Sequence, residues 1–322
     1  MNSPVLIADI GGTNARFALE TAKGKIEAIA VFNCAEFNTI SEVIDSYITR
    51  PDVRSLGGAK ICKAGIAIAN PIHGDIVKMT NHHWEFSIES VQTEFDLQKL
   101  LVVNDFKALA MALPSLSPSQ KKQIGGGVAI DRSPIALVGA GTGLGVSGLI
   151  PTKEGWHALE SEGGHASFPP NSQLEIRLLQ TIFDQFGHVS CERFLSGAGI
   201  KLLYTALCSV RGVPVESIEV PEIMRRGLTS ESLLCREALS IFCDMLGTIA
   251  GDLAITFGAK GGVYIGGGIV PRLGQFFDDS GFRQRFEKKG RLSDYLKDIP
   301  TFVITEPYPA FLGMSALMKS IN

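Results

Sequence analysis

Two stretches of this 322-residue chain follow the same pattern: an apolar run, a tight glycine turn carrying a threonine, and a second apolar run. The first is L-I-A-D-I-G-G-T-N-A-R-F-A-L, residues 6–19, and the second is I-A-L-V-G-A-G-T-G-L-G-V-S-G-L-I, residues 135–150. Residues 5–10 and 16–20 read as β-strands joined by Gly11-Gly12-Thr13-Asn14, where glycine permits a tight turn and close backbone approach. The echo at 135–150 reads as a weak internal duplication. Asp9 stands out, because it places a carboxylate in an otherwise apolar strand beside the first turn.

The rest of the chain fills in an α/β pattern. A strand is expected at 26–32, and a helix at 39–50 with Ile40, Val43, Ile44 and Tyr47 on one face. Residues 64–69, A-G-I-A-I-A, read as a buried strand. Residues 100–103 form another strand that ends at Asn104-Asp105, and 106–113 suit a helix that stops at Pro114. The plain reading of Asp105 is a helix N-cap. Residues 114–126, rich in Ser, Pro, Lys and Gly, read as a boundary region. Late in the chain a strand runs into Gly266-Gly267-Gly268, and Pro271 suits the first turn of a following helix. A last strand is expected at 301–305 and a closing helix at 309–320.

Composition narrows the function. With 45% apolar residues and mixed charge the chain is globular, and a net charge of −3 lacks the basic face of a duplex nucleic-acid binder. The six cysteines are scattered with no C-x-x-C pair, which fits reduced thiols in the cytoplasm. Asp9 breaks the first apolar run, so no signal peptide is read there, and no uncharged apolar stretch is long enough to cross a bilayer.

Three glycine turns after apolar strands point to a nucleotide site in two halves, since turn amides can surround phosphate oxygens. The familiar motifs do not fit. There is no Walker A loop, and Leu144 stands where a dinucleotide fingerprint needs its third glycine. A carboxylate beside a phosphate cradle calls for a cation between them, so Asp9 is expected to anchor a hydrated Mg²⁺. A second constellation, E-S-E-G-G-H at 160–165 and H-V-S-C-E-R at 188–193, joins Asn104-Asp105 in supplying carboxylates, an amide and imidazoles. That mixture suits a polyhydroxylated ligand, whose hydroxyls both donate and accept. Zinc on His165, His188, Cys191 and Glu192 is the rival reading, set below sugar because no dense Cys cluster or H-E-x-x-H occurs. His82 and His83 have no evident partners and read as surface or local structural residues.

Taken in order, these motifs resemble the bacterial glucokinases of the ATP-dependent hexokinase type, within the sugar kinase, actin and heat-shock ATPase superfamily. The carriers are A-D-I-G-G-T-N-A-R at 8–16, M-T-N-H-H-W at 79–84, V-N-D-F at 103–106 and G-A-G-T-G-L-G at 139–145. They continue with E-G-G-H at 162–165, G-H-V-S-C-E-R at 187–193, L-S-G-A-G at 195–199 and G-G-V-Y-I-G-G-G-I-V-P-R at 261–272. The resemblance implies a two-domain α/β fold of the ribonuclease-H-like, actin-like ATPase type, with a sugar cleft between the domains. It puts residues 1–115 plus 302–322 in a small domain and 116–301 in a large one. It implies phosphorylation of D-glucose by MgATP, the first step of glycolysis, in a cytoplasmic homodimer that closes on its sugar. Asn104, Asp105, Glu162, His165 and Glu192 would contact glucose, with Asp105 as general base. Ala8, Asp9, Ile10, Gly11, Gly12, Thr13 and Asn14, with Thr142 and Gly143, would serve the ATP phosphates, and Gly266, Gly267 and Gly268 the adenosine. The chain departs from the family pattern at Ala198, where proline is usual, and at Y-P-A-F-L-G near its end. It lacks the cysteine-rich zinc motif of the repressor-like sugar kinases, so no zinc is expected. Kinases of other hexoses are the nearest alternative. A sugar-sensing transcription factor and a chaperone-type ATPase are further ones, the first lacking room for a DNA-binding domain and the second having no need of the polar clusters.

Overall fold

The computed structural model describes residues 3–79 and 82–321, the side chain of Ala59 apart. Thr80 and Asn81, within the 79–84 motif, lie outside the described residues. The chain divides into two compact units, one of residues up to Leu116 together with those from Pro307 onward, the other Ser117–Glu306.

The first unit is built on β1 (Val5–Ile10), β2 (Asn14–Glu20), β3 (Ile26–Asn33) and β4 (Lys63–Ile68). The hairpin β5 (Ile76–Lys78) and β6 (Glu85–Ser87) stands apart, and β7 (Lys99–Asn104) completes the main sheet. Its order is β3-β2-β1-β4-β7, with β1–β2 and β2–β3 antiparallel and β1–β4 and β4–β7 parallel. The register aligns Ile10, Ile68 and Asn104 across three strands. The parallel strands therefore end on one line, with Ile10 and Asn104 two strand spacings apart, roughly 10 Å. One face of the sheet packs on helix Ile40–Ile48, whose Ile40, Val43, Ile44 and Tyr47 are all buried, as their spacing predicts. The other face takes helices Asp105–Ala112 and Pro309–Ser320, through Ala108, Phe311 and Met314.

The second unit repeats the plan. Its strands are β8 (Lys121–Ile124), β9 (Ile135–Ala140), β10 (Leu144–Thr152), β11 (Gly155–Leu159), β12 (Val263–Gly266) and β13 (Thr301–Ile304). The order is β11-β10-β9-β12-β13-β8. Set aside β8, and each pairing matches its counterpart in the first sheet in both order and direction. The duplication read from two glycine turns thus extends to five strands. The division between Leu116 and Ser117 falls within the stretch 114–126 read as a boundary, and that stretch also holds a strand, because Lys121–Ile124 pairs antiparallel with β13. Its K-K-Q-I sequence lacks the apolar alternation of a strand, since as an edge strand it buries only Ile124.

Helix Leu233–Phe257 is long and apolar enough to cross a membrane, yet 72% of its most apolar window is buried inside the protein. It also carries Arg236, Glu237, Asp244 and Asp252, so it is a core helix of this unit. Around it sits a buried ion pair. Arg285 Nη2 lies 2.7 Å from Glu175 Oε1 and donates to Thr248 Oγ1 at 2.8 Å. Glu175 is 2% exposed and Arg285 9%, so each charge depends on the other for its solvation. Glu175→Ala is expected to cost about 3–5 kcal/mol, the penalty for stranding a buried charge. Urea melts would check this, and a midpoint unchanged from wild type would refute it.

Candidate active site

In the first unit, the carboxyl ends of the parallel strands carry the chemistry, the usual place for ligands in α/β sheets. Asn104 ends β7 and caps the next helix: its Oδ1 accepts from the amides of Phe106 at 2.9 Å and Lys107 at 3.3 Å. The plain N-cap reading of Asp105 is therefore wrong by one residue. Asp105 is the first helical residue, and its Oδ1 accepts from Phe106 N–H at 2.9 Å. The helix N-terminus favours negative charge there. Asn104 Nδ2 also donates to Asn70 O at 3.4 Å, which ties the end of β7 to the segment after β4.

Two strands away, the glycine turn is held from behind. Gly11 N–H donates to Asn14 O at 3.0 Å, and Cys34 N–H donates to Thr13 O at 2.8 Å. The buried Cys34 thiol donates to Gly11 O at 3.5 Å, and burial pushes its pKa up, so it stays protonated. These bonds take the carbonyls of Gly11, Thr13 and Asn14 and the Gly11 amide, and Thr13 is left exposed. Ala8 and Ile10 are fully buried and hold the strand beneath the turn. Asp9 faces Arg16 across the β1–β2 pair, with Oδ2 3.0 Å from Nη1. Burial raises the Asp9 pKa, and Arg16 pulls it back down.

His82 and His83 are better placed than their sequence implies. His83 Nε2 lies 3.2 Å from Asn38 O, and Trp84 Nε1 donates to Phe37 O at 3.0 Å. The His82 ring sits 4.2 Å from that of His83 and 4.7 Å from Trp84, and its Nδ1 is buried without a hydrogen-bond partner.

In the second unit, two glycine turns adjoin. Gly139 of β9 pairs with Gly266 of β12. At Gly267, φ is +80° and an added Cβ would lie 2.2 Å from Ala140 O, so only glycine fits against the start of the other turn. In that turn Gly141 N–H donates to Gly143 O at 2.8 Å, while Thr142 is exposed. Gly197 N–H donates to Gly141 O at 2.8 Å, so the 15-residue helix Gly197–Arg211, capped by Ser196, begins at this loop. Its N-terminal field favours a phosphate. Thr142 and Ser196 line a pocket of ≈ 400 Å³ together with Lys201. Gly268 opens the short helix Ile269–Leu273, with free space where a side chain would be.

The polar cluster lies beside this loop. His165 Nε2 and Glu162 Oε2 are 3.9 Å apart, across the single 3₁₀ turn Gly163–His165. Packing requires glycine between them, because a Cβ on Gly164 would lie 1.9 Å from Leu144 O. His165, His188, Glu192 and Arg193 line a second pocket of ≈ 500 Å³, within the usual size for a small-molecule site. His188 bonds Ser167 Oγ at 2.9 Å, and Arg193 stacks 4.3 Å over Phe186. Cys191 is buried and its pKa is pushed up to about 12, which makes it a core residue. Nothing in the sequence signalled that Glu192 Oε2 accepts Leu144 N–H at 2.8 Å, a contact spanning 48 positions. It joins the polar cluster to the glycine loop.

Two sheets of one plan, each with a glycine turn, and in the second unit a polar cluster of carboxylates and imidazoles, are the features of a sugar kinase on the actin-like ATPase fold. The comparisons with known proteins agree. The glucokinase family model matches residues 6–321, so the chain belongs to the glucokinase family. A glucokinase of Chromobacterium violaceum is 50% identical over 313 residues, covering 97% of this chain and 88% of its own. The crystal structure of a glucokinase from an Antarctic psychrotroph superposes with a TM-score of 0.89 at 37% identity, covering 99% of each chain. The structure of Balamuthia mandrillaris glucokinase in complex with glucose has a TM-score of 0.80 over 98% of this chain and 93% of that one. At 20% identity it speaks to the fold alone. The chain is thus an enzyme that phosphorylates glucose with ATP.

Burial and the neighbouring His83 lower the His82 pKa below its usual 6.5. The unfolded chain then binds a proton more readily than the native one, so stability falls as pH drops from 6.5 through the lowered value. The urea midpoint of wild type should fall more between pH 7.5 and 5.5 than that of His82→Gln. Equal falls would show that His82 has no share in it.

Proposed function

We propose that Asn104, Asp105, Glu162, His165 and Glu192 hold the glucose, and that Asp105 is the general base. The observation that carries this is the capping role of Asn104. It caps the helix at the end of β7, which puts Asp105 in the first turn at the carboxyl edge of the sheet. Each sugar hydroxyl meets a carboxylate, an amide or an imidazole able to accept or donate, and hydrogen bonds to charged groups contribute about 1.5–3 kcal/mol each.

In the proposed step, the glucose 6-oxygen attacks the γ-phosphorus while the bond to the β-γ bridging oxygen breaks and ADP leaves. Asp105 takes the hydroxyl proton as attack proceeds. Catalysis rests on in-line positioning and charge neutralisation. The amides of Gly12 and Gly143 and the hydroxyls of Thr13 and Thr142 hold phosphate oxygens, aided by the N-terminus of the helix Gly197–Arg211. Gly266, Gly267 and Gly268 serve the adenosine.

Asp9 fits a Mg²⁺ that keeps its water shell. Among the described residues no group of three ligand side chains exists, as suits an ion bound mainly by water and phosphate oxygens. Asp9 would meet that shell through a carboxylate already oriented by Arg16. When bound, the ion supplies positive charge beside the phosphates. We also infer a cytoplasmic homodimer acting at the first step of glycolysis, in line with the family resemblance and the scattered, free cysteines.

The first test is ADP release from MgATP by the purified chain with and without glucose. Strong dependence on glucose supports the reading, and release indifferent to every hexose refutes it. Asp105→Asn should lower kcat by about 10²–10⁴ with the fold intact. A variant within a few-fold of wild type would remove Asp105 from the role of base.

A further inference from the structure

Glu192 lines both the ≈ 500 Å³ pocket that holds His165 and the ≈ 400 Å³ pocket that holds Thr142. With Phe186 and Arg193, which also line both, it separates the side assigned to sugar from the side assigned to phosphate. Its carboxylate is fixed from the phosphate side. Leu144 N–H donates to Oε2 at 2.8 Å, and a Cβ on Gly143 would lie 2.3 Å from that same oxygen. The carboxylate occupies the space a side chain at 143 would fill. Its own backbone cannot easily retreat, because Glu192 sits in the short helix Cys191–Phe194 between two buried residues. Cys191 N–H donates to Ala166 O at 2.9 Å, next to His165, and Phe194 packs edge-on against Phe168 at 4.8 Å.

We propose that the Gly143–Leu144 backbone is a positioning element of the glucose site, and that it couples nucleotide binding to glucose binding through Glu192. This rests on the assignment of the two sides given above. Any shift of the loop on phosphate binding moves the donor that orients Glu192, and a sugar drawing on Glu192 biases the loop in return. Such coupling is reciprocal, so each ligand changes the affinity of the other by one factor. Gly143 is then required by the sugar site as well as by phosphate approach.

The test is calorimetric titration of glucose into the full chain, alone and saturated with Mg²⁺ and a non-hydrolysable ATP analogue. Wild type should show a glucose affinity that differs between the two conditions, and equal affinities overturn the coupling. Gly143→Ala should weaken glucose at least about tenfold with no nucleotide present, the effect of displacing one charge-assisted hydrogen bond. Gly126→Ala, whose methyl meets nothing within 4 Å, should leave that nucleotide-free affinity unchanged. A cooperatively melting Gly143→Ala with glucose affinity within about twofold of wild type overturns the proposal. Should Gly143→Ala not melt cooperatively, Glu192→Asp decides. Its carboxylate is one methylene short of Leu144 N–H, so the ratio of affinities with and without nucleotide should fall to one. A ratio kept at the wild-type value overturns the proposal. A wild-type chain that binds neither glucose nor the analogue instead refutes the assignment of the two sides.

Discussion

The parallel register of β1, β4 and β7 is the constraint on which the rest depends. It puts Ile10, Ile68 and Asn104 on one line, so the glycine turn and the Asn104-Asp105 pair emerge from the same edge of one sheet. Parallel pairing brings this about because strands running the same way end on the same side, and each carboxyl end feeds a turn or a helix N-terminus. A slip of one residue in β7 would turn its side chains to the opposite face and carry the Asn104 cap with them. The buried positions of β4 resist such a slip, because five of its six residues are closed to water.

The second unit applies the same rule to a different end. There β9 and β12 run parallel, and their glycine turns touch where Gly267 meets Ala140. In each turn an internal hydrogen bond takes one amide, that of Gly11 or Gly141, and one carbonyl, that of Asn14 or Gly143, while Cys34 and Gly197 take further carbonyls from outside the turn. The polar cluster supplies negative charge. Glu162, His165 and Glu192 come from short 3₁₀ and helical turns inserted after β11, in a unit whose sheet otherwise mirrors the first. Division of labour follows from chemistry: backbone amides suit phosphate oxygens, and carboxylates suit sugar hydroxyls.

Where sequence reading went astray, it did so for local reasons. The cap fell to Asn104 and not Asp105, because β7 runs one residue further than its apolar run. Edge strand β8 escaped notice because only Ile124 is buried, leaving no periodicity to read. The demand for glycine at 164 comes from Leu144 on a neighbouring strand, which no local pattern shows. The hydrogen bonds of His83 and Trp84 to residues 38 and 37 join positions 45 and 47 apart, and no local pattern announces them.

By itself the sequence determined the alternation of strands and helices, the doubled strand–turn–strand unit and the family, since all three are written in local periodicity and ordered motifs. The closing helix Pro309–Ser320 was read to the residue, and β1 and β9 likewise at their starts. Tertiary structure alone decided which side chains meet. Leu144 orients Glu192, Cys34 anchors the turn at Gly11 and Thr13, and Arg285 neutralises Glu175 inside the second unit. Each of these joins residues far apart in the chain. Their contact is set by strand register and helix packing, which are properties of the whole fold and of no single segment.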